Sequence, residues 1–280
     1  MTLPFAEAEL ALIERAAQCL RFPKIRALHL PPVDTRKSKD GEFCAIELDD
    51  GSIGLSYVLL GGTLDALLAQ EPGESLAGMD ALELCRWYRR PDTSARTLGF
   101  AAVNAMTSAL YAKSAYEPNP SADSIAMLDP RPGDHVGMIG FFPPLAKRIA
   151  KTGAALTIAE LRDDLVGQYD GYRVTLDAND LSACNKILST STVLLNDTLD
   201  AMLSTCSGAT QFALIGPGAG CLPDPLFERG VSLLGGTQVK DRAAFCEALR
   251  AGKSWGEFAK KVVVSTEDYP GFEALLARLT

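Results

Sequence analysis

Over the first 115 residues, apolar positions recur at helical spacing in some segments and alternate with polar positions, as in a strand, in others. Apolar residues at helical spacing, with acids in the first turn, predict an amphipathic helix over residues 5–21. The segment KIRALHL (24–30) alternates as a strand does, and FCAIELDDGSIGLSYVLL (43–60) predicts two strands joined by a turn at Asp49-Asp50-Gly51. Further helices are predicted over 63–70, 78–89 and 97–113. The last of these has so few charges that we expect it to be buried on most sides.

The pattern changes after SAYEPNPSAD (114–123), whose prolines, Asn and Ser are typical of a linker. Beyond it, short apolar strands alternate with helices. The predicted strands are HVGMIG, ALTIAEL, YRVTL, KILSTST, QFALIG and VSLLGG, and the predicted helices cover 143–152, 178–184, 195–205, 224–229 and 241–250. Continuous apolar strands between helices predict a mostly parallel sheet that is covered on both faces. The predicted fold class is α/β, with an α+β domain over residues 1–115 and a Rossmann-like domain over residues 116–280.

The amino-acid composition bears on which kinds of molecule the protein can bind. A formal net charge of -8 argues against nucleic acid or an anionic membrane surface as a partner, because either requires a concentrated basic patch. The one dense basic cluster, Arg36-Lys37-Ser38-Lys39, is interpreted as a solvated loop. No apolar run approaches the roughly 20 residues of a membrane span, and the N-terminal segment carries acids where a signal peptide carries bases. We therefore expect a cytoplasmic protein.

Cysteine and histidine usage bears on metal chemistry. The seven cysteines are scattered and form no CxxC pair, so their spacing offers no zinc motif. The only histidines are His29, expected in the core of the first domain, and His135, at the end of the predicted sheet that lies away from its ligand-binding edge. An imidazole-rich metal site is therefore not expected.

Candidate site residues follow from the topology of an open α/β sheet, in which ligands bind at the carboxyl ends of the strands near a change in strand order. This rule selects loops at the ends of four strands, and a fifth at Gly235-Gly236-Thr237. The four loops contain Gly140, Phe141, Phe142 and Pro143; Glu160; Ser189, Thr190, Ser191 and Thr192; and Gly216, Pro217 and Gly218.

The first loop lacks the glycines of a dinucleotide fingerprint. Phe141 and Phe142 stand where a pyrophosphate must approach closely, so they either pack against the other domain or contact a flat, apolar ligand. The free amides of a turn that leads into a proline-started helix still suit an anion. Glu160 stands where a ribose-binding acid would lie. It is a candidate ligand for a hard metal or an amine, or a surface acid paired with Arg162.

The remaining loops also allow two interpretations. The hydroxyls of Ser189 to Thr192 suit a polar or anionic ligand, but some of them, or Asn196 or Asp197, can instead cap the next helix. The Gly216-Pro217-Gly218 turn is either backbone geometry alone or a close approach to a ligand. Asn104, in the apolar helix, needs a partner, which is either a backbone group or a ligand in the cleft between the domains.

Several segments together resemble a known family. IGLSYVLL, TLGFAAVNAM, HVGMIGFFPPLAKRI, ILSTSTVLLNDTLDAML and FALIGPGAGCLPDPLFERGVSLLGG, in this order, are similar to the family described as putative heavy-metal chelation. The resemblance covers roughly residues 5–265. It implies an N-terminal domain like that of enolase, a C-terminal Rossmann-like domain and a site in the cleft between them. At that cleft it places Gly140, Phe141, Pro143, Thr190, Asn196, Gly216 and Pro217, faced by Asn104 and Ser56.

The resemblance implies binding of a metal or of a metal-chelating small molecule, with no enolase chemistry, since the enolase barrel is missing. Glu160 is the candidate metal ligand, or the metal arrives already held by an organic chelator. One alternative is a transferase that binds a nucleotide-derived cofactor such as S-adenosylmethionine at the switch point. Another is an interaction subunit without an active site. The apolar helices of the first domain are compatible with a homodimer.

Overall fold

The first part of the chain forms a small antiparallel sheet packed on helices. The structure is a computed structural model that describes residues 3–37, 41–120 and 128–279. Its first helices are α1 (Phe5–Cys19), α2 (Thr63–Gln70), α3 (Gly73–Leu76), α4 (Ala81–Cys85) and α5 (Thr93–Lys113), and its strands are β1 (Ile25–His29), β2 (Phe43–Leu48) and β3 (Ile53–Tyr57). The strands pair in the order β1-β2-β3, and Gly51, at φ 90°, lies in the turn that joins β2 to β3 as predicted.

Helix α5 is the centre of this first part. Asp92 caps it by accepting a hydrogen bond from the Ala95 amide, and the helix extends further toward the N-terminus than the predicted start at residue 97. Most of its residues are buried, as its low charge predicted. Gly54 on β3 lies directly against the α5 backbone, where a Cβ would stand 2.1 Å from the Ala101 oxygen.

The rest of the chain builds a nine-stranded sheet. Its strands are β4 (Asn119–Pro120), β5 (His135–Ile139), β6 (Ala155–Ala159), β7 (Gly167–Tyr169), β8 (Tyr172–Thr175), β9 (Lys186–Thr190), β10 (Gln211–Ile215), β11 (Leu233–Val239) and β12 (Ala259–Ser265). The helices are α6 (Pro143–Ala150), α7 (Leu199–Thr205), α8 (Asp224–Phe227), α9 (Arg242–Arg250) and α10 (Phe272–Ala277).

The strand order is β4-β12-β11-β10-β9-β5-β6-β8-β7, and the six strands from β11 to β8 are parallel. Counted from β5 along the chain and leaving out β7, these six have the order of the doubly wound dinucleotide-binding folds, and the order reverses between β5 and β9. The predicted α/β class with a mostly parallel sheet is confirmed.

Several predicted elements differ from those observed. The helix predicted over 195–205 begins only at Leu199, because Asp197 has a left-handed backbone at φ 58° that interrupts any earlier turn. The helix predicted over 178–184 is a short 3-10 helix, Ala178–Leu181. Strand β12, in which Lys260 and Lys261 follow Ala259, has no counterpart in the prediction. Ser38 and Lys39 of the basic cluster and residues 121–123 of the predicted linker lie outside the described residues.

One hydrophobic core runs through both parts of the chain. It includes Ile13 and Phe100 from the first part together with Val193, Phe212 and Leu226 from the second. Burial of this apolar surface is the main force that holds the two parts together. The domain boundary at residue 115 stays a prediction. Within the described ranges, no helix is both long and apolar enough to cross a membrane.

Candidate functional site

A large cavity opens at the carboxyl ends of the parallel strands, where the strand order reverses. Its volume is about 830 Å³, within the range of small-molecule sites. The strand register explains why distant loops meet here: Ile139 at the end of β5 pairs with Ser189, and Thr190 at the end of β9 pairs with Ile215. The loops that follow these three strands therefore lie side by side.

Ten of the thirteen predicted site residues line this cavity. They are Gly140, Phe141, Phe142, Pro143, Glu160, Thr190, Ser191, Asn196, Gly216 and Pro217. The other three, Asn104, Ser189 and Gly218, do not line it.

The turn from β5 into α6 forms an aromatic wall. Gly140 adopts φ 81°, and a Cβ there would stand 3.1 Å from the Thr190 methyl group, so glycine lets the β5 and β9 loops touch. The Phe141 ring packs against Tyr172, with ring centroids 5.8 Å apart, and Tyr172 stacks on Tyr169 at 5.0 Å. Because Phe141 is held by this aromatic cluster, the wall is preorganised.

The Glu160 carboxylate binds backbone amides of that turn where an anionic ligand would otherwise bind. Its Oε2 accepts a hydrogen bond from the Phe141 amide at 2.7 Å, and its Oε1 accepts one from the Leu161 amide at 2.8 Å. The predicted alternative of a pair with Arg162 is wrong, because Arg162 bonds Asp164 at 2.6 Å. The carboxylate thus takes the amide that a phosphate oxygen would need, although each of its oxygens keeps a lone pair for a further partner.

The loop after β9 uses part of its hydroxyl series for its own structure. Thr190 Oγ1 donates to Thr192 Oγ1 at 3.0 Å and accepts from the Thr192 amide at 3.2 Å, which caps the 3-10 helix Ser191–Leu194. Ser189 is fully buried and donates to the Thr190 carbonyl at 3.2 Å, so it lies behind the wall of the cavity. Ser191 lies against Gly216, where a Cβ would stand 2.5 Å from the Ser191 hydroxyl oxygen.

Asn196 and Asp197 do not cap helix α7. The Asn196 Oδ1 accepts from the Thr198 hydroxyl at 2.6 Å and from the Thr198 amide at 3.3 Å, which holds the loop before the helix. Asp197 forms a two-pronged ion pair with Arg96 of helix α5, one contact of which is 2.6 Å. This ion pair links the two parts of the chain.

Asn104 also links the two parts of the chain. It is 3% exposed, and its Nδ2 donates to the Leu55 carbonyl at 2.7 Å and to the Gly218 carbonyl at 2.9 Å. Of the two partners predicted for it, the structure shows the backbone one. The amide therefore fixes the Gly216-Pro217-Gly218 turn against strand β3, which accounts for Gly218 facing away from the cavity.

The first part of the chain contributes groups that the sequence did not identify. Glu42, Tyr57 and Leu60 line the cavity together with the loops of the large sheet. Burial, with further contributions from the Glu42 and Glu160 carboxylates, raises the pKa of Tyr57, so its phenol stays protonated. No sequence pattern marks Glu42 or Tyr57, because their position depends on how the two parts pack. Ser56, expected to face the cleft, is fully buried and does not line the cavity.

The charges of the cavity balance. Arg148 of α6 and Lys261 of β12 are exposed residues of its lining, and Glu42 and Glu160 supply two carboxylates. The described lining contains no cysteine and no histidine. Its potential metal ligands are therefore oxygen atoms, which suit hard cations and not the soft metals that thiolates bind.

The chain belongs to the family described as putative heavy-metal chelation. Residues 123–267 match the DUF364 family, and residues 41–107 match DUF4213, both of which have that description. Together with the fold and the cavity, these matches define an α/β protein of this family.

Solved structures of the same family have the same fold. A protein of unknown function from Desulfitobacterium hafniense matches with 20% identity and a TM-score of 0.71, over 94% of this chain and 98% of its own. One from Pyrococcus horikoshii matches with 19% identity and a TM-score of 0.67, over 92% of this chain and 99% of its own. Among curated proteins, none matches this chain.

Proposed function

We propose that the cavity binds a planar small molecule that carries a metal ion, so that the protein handles a metal chelate. The observation that carries this proposal is the cavity at the strand-order reversal, whose volume of about 830 Å³ fits an organic ligand and far exceeds what a bare cation needs. The family description supports the same class of ligand.

The walls favour a flat and largely apolar molecule. Phe141, Phe142, Tyr57 and Leu60 all line the cavity, and aromatic faces of this kind stack on planar rings. Specificity then comes from the few polar groups nearby, the Tyr57 phenol and the Thr190 and Thr192 hydroxyls. This division of labour is typical of small-molecule pockets.

The chelator supplies the soft ligands that the cavity lacks. Glu42 and Glu160 offer carboxylate oxygens to the ligand or to an open position on its metal. The aromatic turn and the engaged Phe141 amide disfavour a dinucleotide phosphate there. All seven cysteines are free thiols, which fits our proposal that this binding takes place in the reducing cytoplasm.

A cavity-filling substitution tests this proposal. Ala178 lines the cavity and its neighbour Asn179, in the same 3-10 turn, is exposed and does not. We expect native mass spectrometry of the wild-type protein, purified from its own host, to show a bound organic species with a metal. Ala178→Trp should lose that species because the indole occupies its space.

Asn179→Trp is the matched control and should retain the bound species. If the wild-type and both variants give the same bare mass, or if Ala178→Trp keeps the adduct, the cavity is not the binding site.

A further inference from the structure

Three potential metal ligands meet at a second place, outside the cavity. His29 at the end of β1, Glu47 on β2 and Cys246 on α9 present ligand atoms that all lie within 4.8 Å of one another. The three residues are 4%, 7% and 4% exposed. None of them lines the cavity at the strand-order reversal. The cluster is therefore separate from the site of the proposed function.

The hydrogen bonding of His29 leaves one ring nitrogen unused. Its Nε2 lies 2.8 Å from the Glu47 Oε2, whereas its Nδ1 is buried and has no hydrogen-bond partner among the described residues. Buried polar atoms in folded proteins are nearly always paired, so an orphaned imidazole nitrogen points to a missing partner. The two ring nitrogens point in different directions, so a metal shared with the Glu47 Oε2 would bind at Nε2, and the orphaned Nδ1 marks an unmet hydrogen-bonding need at His29 without being a ligand atom of that metal.

The ligand set fits one class of cation. A ring nitrogen, a carboxylate oxygen and a thiolate sulfur together match the preferences of Zn²⁺ and similar borderline or soft divalent metals. In a tetrahedral site with metal–ligand distances of about 2.0–2.3 Å, ligand atoms lie roughly 3.5 Å apart. The His29 Nε2 and the Glu47 Oε2, now 2.8 Å apart, would have to separate slightly, and all the ligand atoms already lie within 4.8 Å of one another. We propose that His29, Glu47 and Cys246 bind a zinc-like divalent metal ion with one coordination position open.

The surrounding arginines contact Glu47 and Cys246 from outside the proposed metal site. Arg242 and Arg26 approach the other Glu47 oxygen at 3.4 and 3.8 Å, and Arg250 donates to the Cys246 carbonyl at 3.2 Å. An outer partner on the free oxygen orients a carboxylate that binds metal through the other. The Arg26 and Arg242 side chains are 44% and 45% exposed, so solvent screens much of their repulsion toward a cation.

Metal in this cluster would join the two parts of the chain. Strands β1 and β2 belong to the antiparallel sheet and α9 to the second part, and Phe43 and Leu55 of that sheet share a small core with Phe245 of α9. Because the metal binds the folded chain and the unfolded chain has no assembled site, binding stabilises the fold by mass action.

Cobalt(II) titration of the full chain, stripped of metal, tests the proposal. Co²⁺ replaces Zn²⁺ in such sites and gives a thiolate-to-metal absorption band when cysteine is a ligand. We expect one Co²⁺ per chain, this band, and a rise in the apparent melting temperature. Cys246→Ala should abolish the band and weaken binding by more than about tenfold.

Control variants separate the cluster from general effects. Cys44→Ala, at another buried thiol on β2, and Glu160→Gln, in the cavity, should keep the band and the affinity. Should Cys246→Ala fail to fold, His29→Gln preserves a polar partner for Glu47 and should still weaken Co²⁺ binding by more than about tenfold. The proposal is overturned by wild-type protein that shows no thiolate band, by Cys246→Ala or His29→Gln binding as tightly as wild type, or by loss of the band in either control.

Discussion

Replacing Glu9 by Gln is expected to remove a pH dependence of stability that one buried carboxyl imposes on the fold. Glu9 lies on helix α1 and is fully buried, with its Oε1 accepting from the Leu222 amide at 2.9 Å. Its Oε2 has no hydrogen-bond partner among the described residues. Burial, with a smaller contribution from the nearby Asp224 carboxylate, raises the pKa of Glu9 from 4.5 to about 8.

The sign of the effect follows from proton binding. Between pH 4.5 and pH 8 the unfolded chain releases this proton while the folded chain keeps it, so the unfolding free energy falls as pH rises. Glu9's stabilising contribution is complete below pH 4.5 and is lost by about pH 8. At about 1.4 kcal/mol for each pH unit, the loss is of the order of 5 kcal/mol.

Urea denaturation of wild type and Glu9→Gln at pH 5, 6, 7 and 8 measures this difference. Gln can accept the Leu222 hydrogen bond without ionising, so the variant should gain several kcal/mol relative to wild type between pH 5 and pH 8. Glu14→Gln, an exposed acid on the same helix that pairs with Arg86, is the control and should follow wild type. Parallel curves for wild type and Glu9→Gln would refute a protonated Glu9 in the folded chain.

Two further substitutions test close packing contacts, each by urea denaturation. Tyr88→Phe removes a hydroxyl that donates to the Leu194 carbonyl at 2.5 Å, and the buried unpaired carbonyl should cost about 1–3 kcal/mol. Tyr169→Phe, at a partly exposed hydroxyl, should cost less than about 0.5 kcal/mol, and equal losses would contradict this reasoning. Gly54→Ala places a Cβ against the backbone of α5 and should lower the unfolding free energy by about 3 kcal/mol or more. The control Gly73→Ala places its Cβ in open space and should leave the unfolding free energy nearly unchanged. An unchanged unfolding free energy for Gly54→Ala would contradict this reasoning.

The position of the cavity was predictable from sequence because it follows from topology. Continuous apolar strands between helices predict a parallel sheet, and the carboxyl ends of such strands meet at one edge. Gly140, Thr190 and Gly216 therefore lie together although they are far apart in sequence. Their role in binding stays a prediction.

What could not be predicted depends on side-chain partners across the two parts of the chain. The need of Asn104 for a partner was apparent from its apolar helix, but the choice of the Gly218 carbonyl depends on packing. His29 and Cys246 lie 217 positions apart in the sequence, and neither belongs to a motif with ligand spacing. Tyr57 likewise reaches the cavity only through the placement of β3 against the large sheet. The homodimer also stays a prediction.

The most direct test of metal-chelate binding is a crystal structure of the protein as purified from its own host, with diffraction measured across metal absorption edges. We predict planar ligand density beside Phe141 and Phe142, with an anomalous peak inside the cavity. A peak confined to His29, Glu47 and Cys246 would support the second site alone. A cavity that holds only solvent would contradict the central claim.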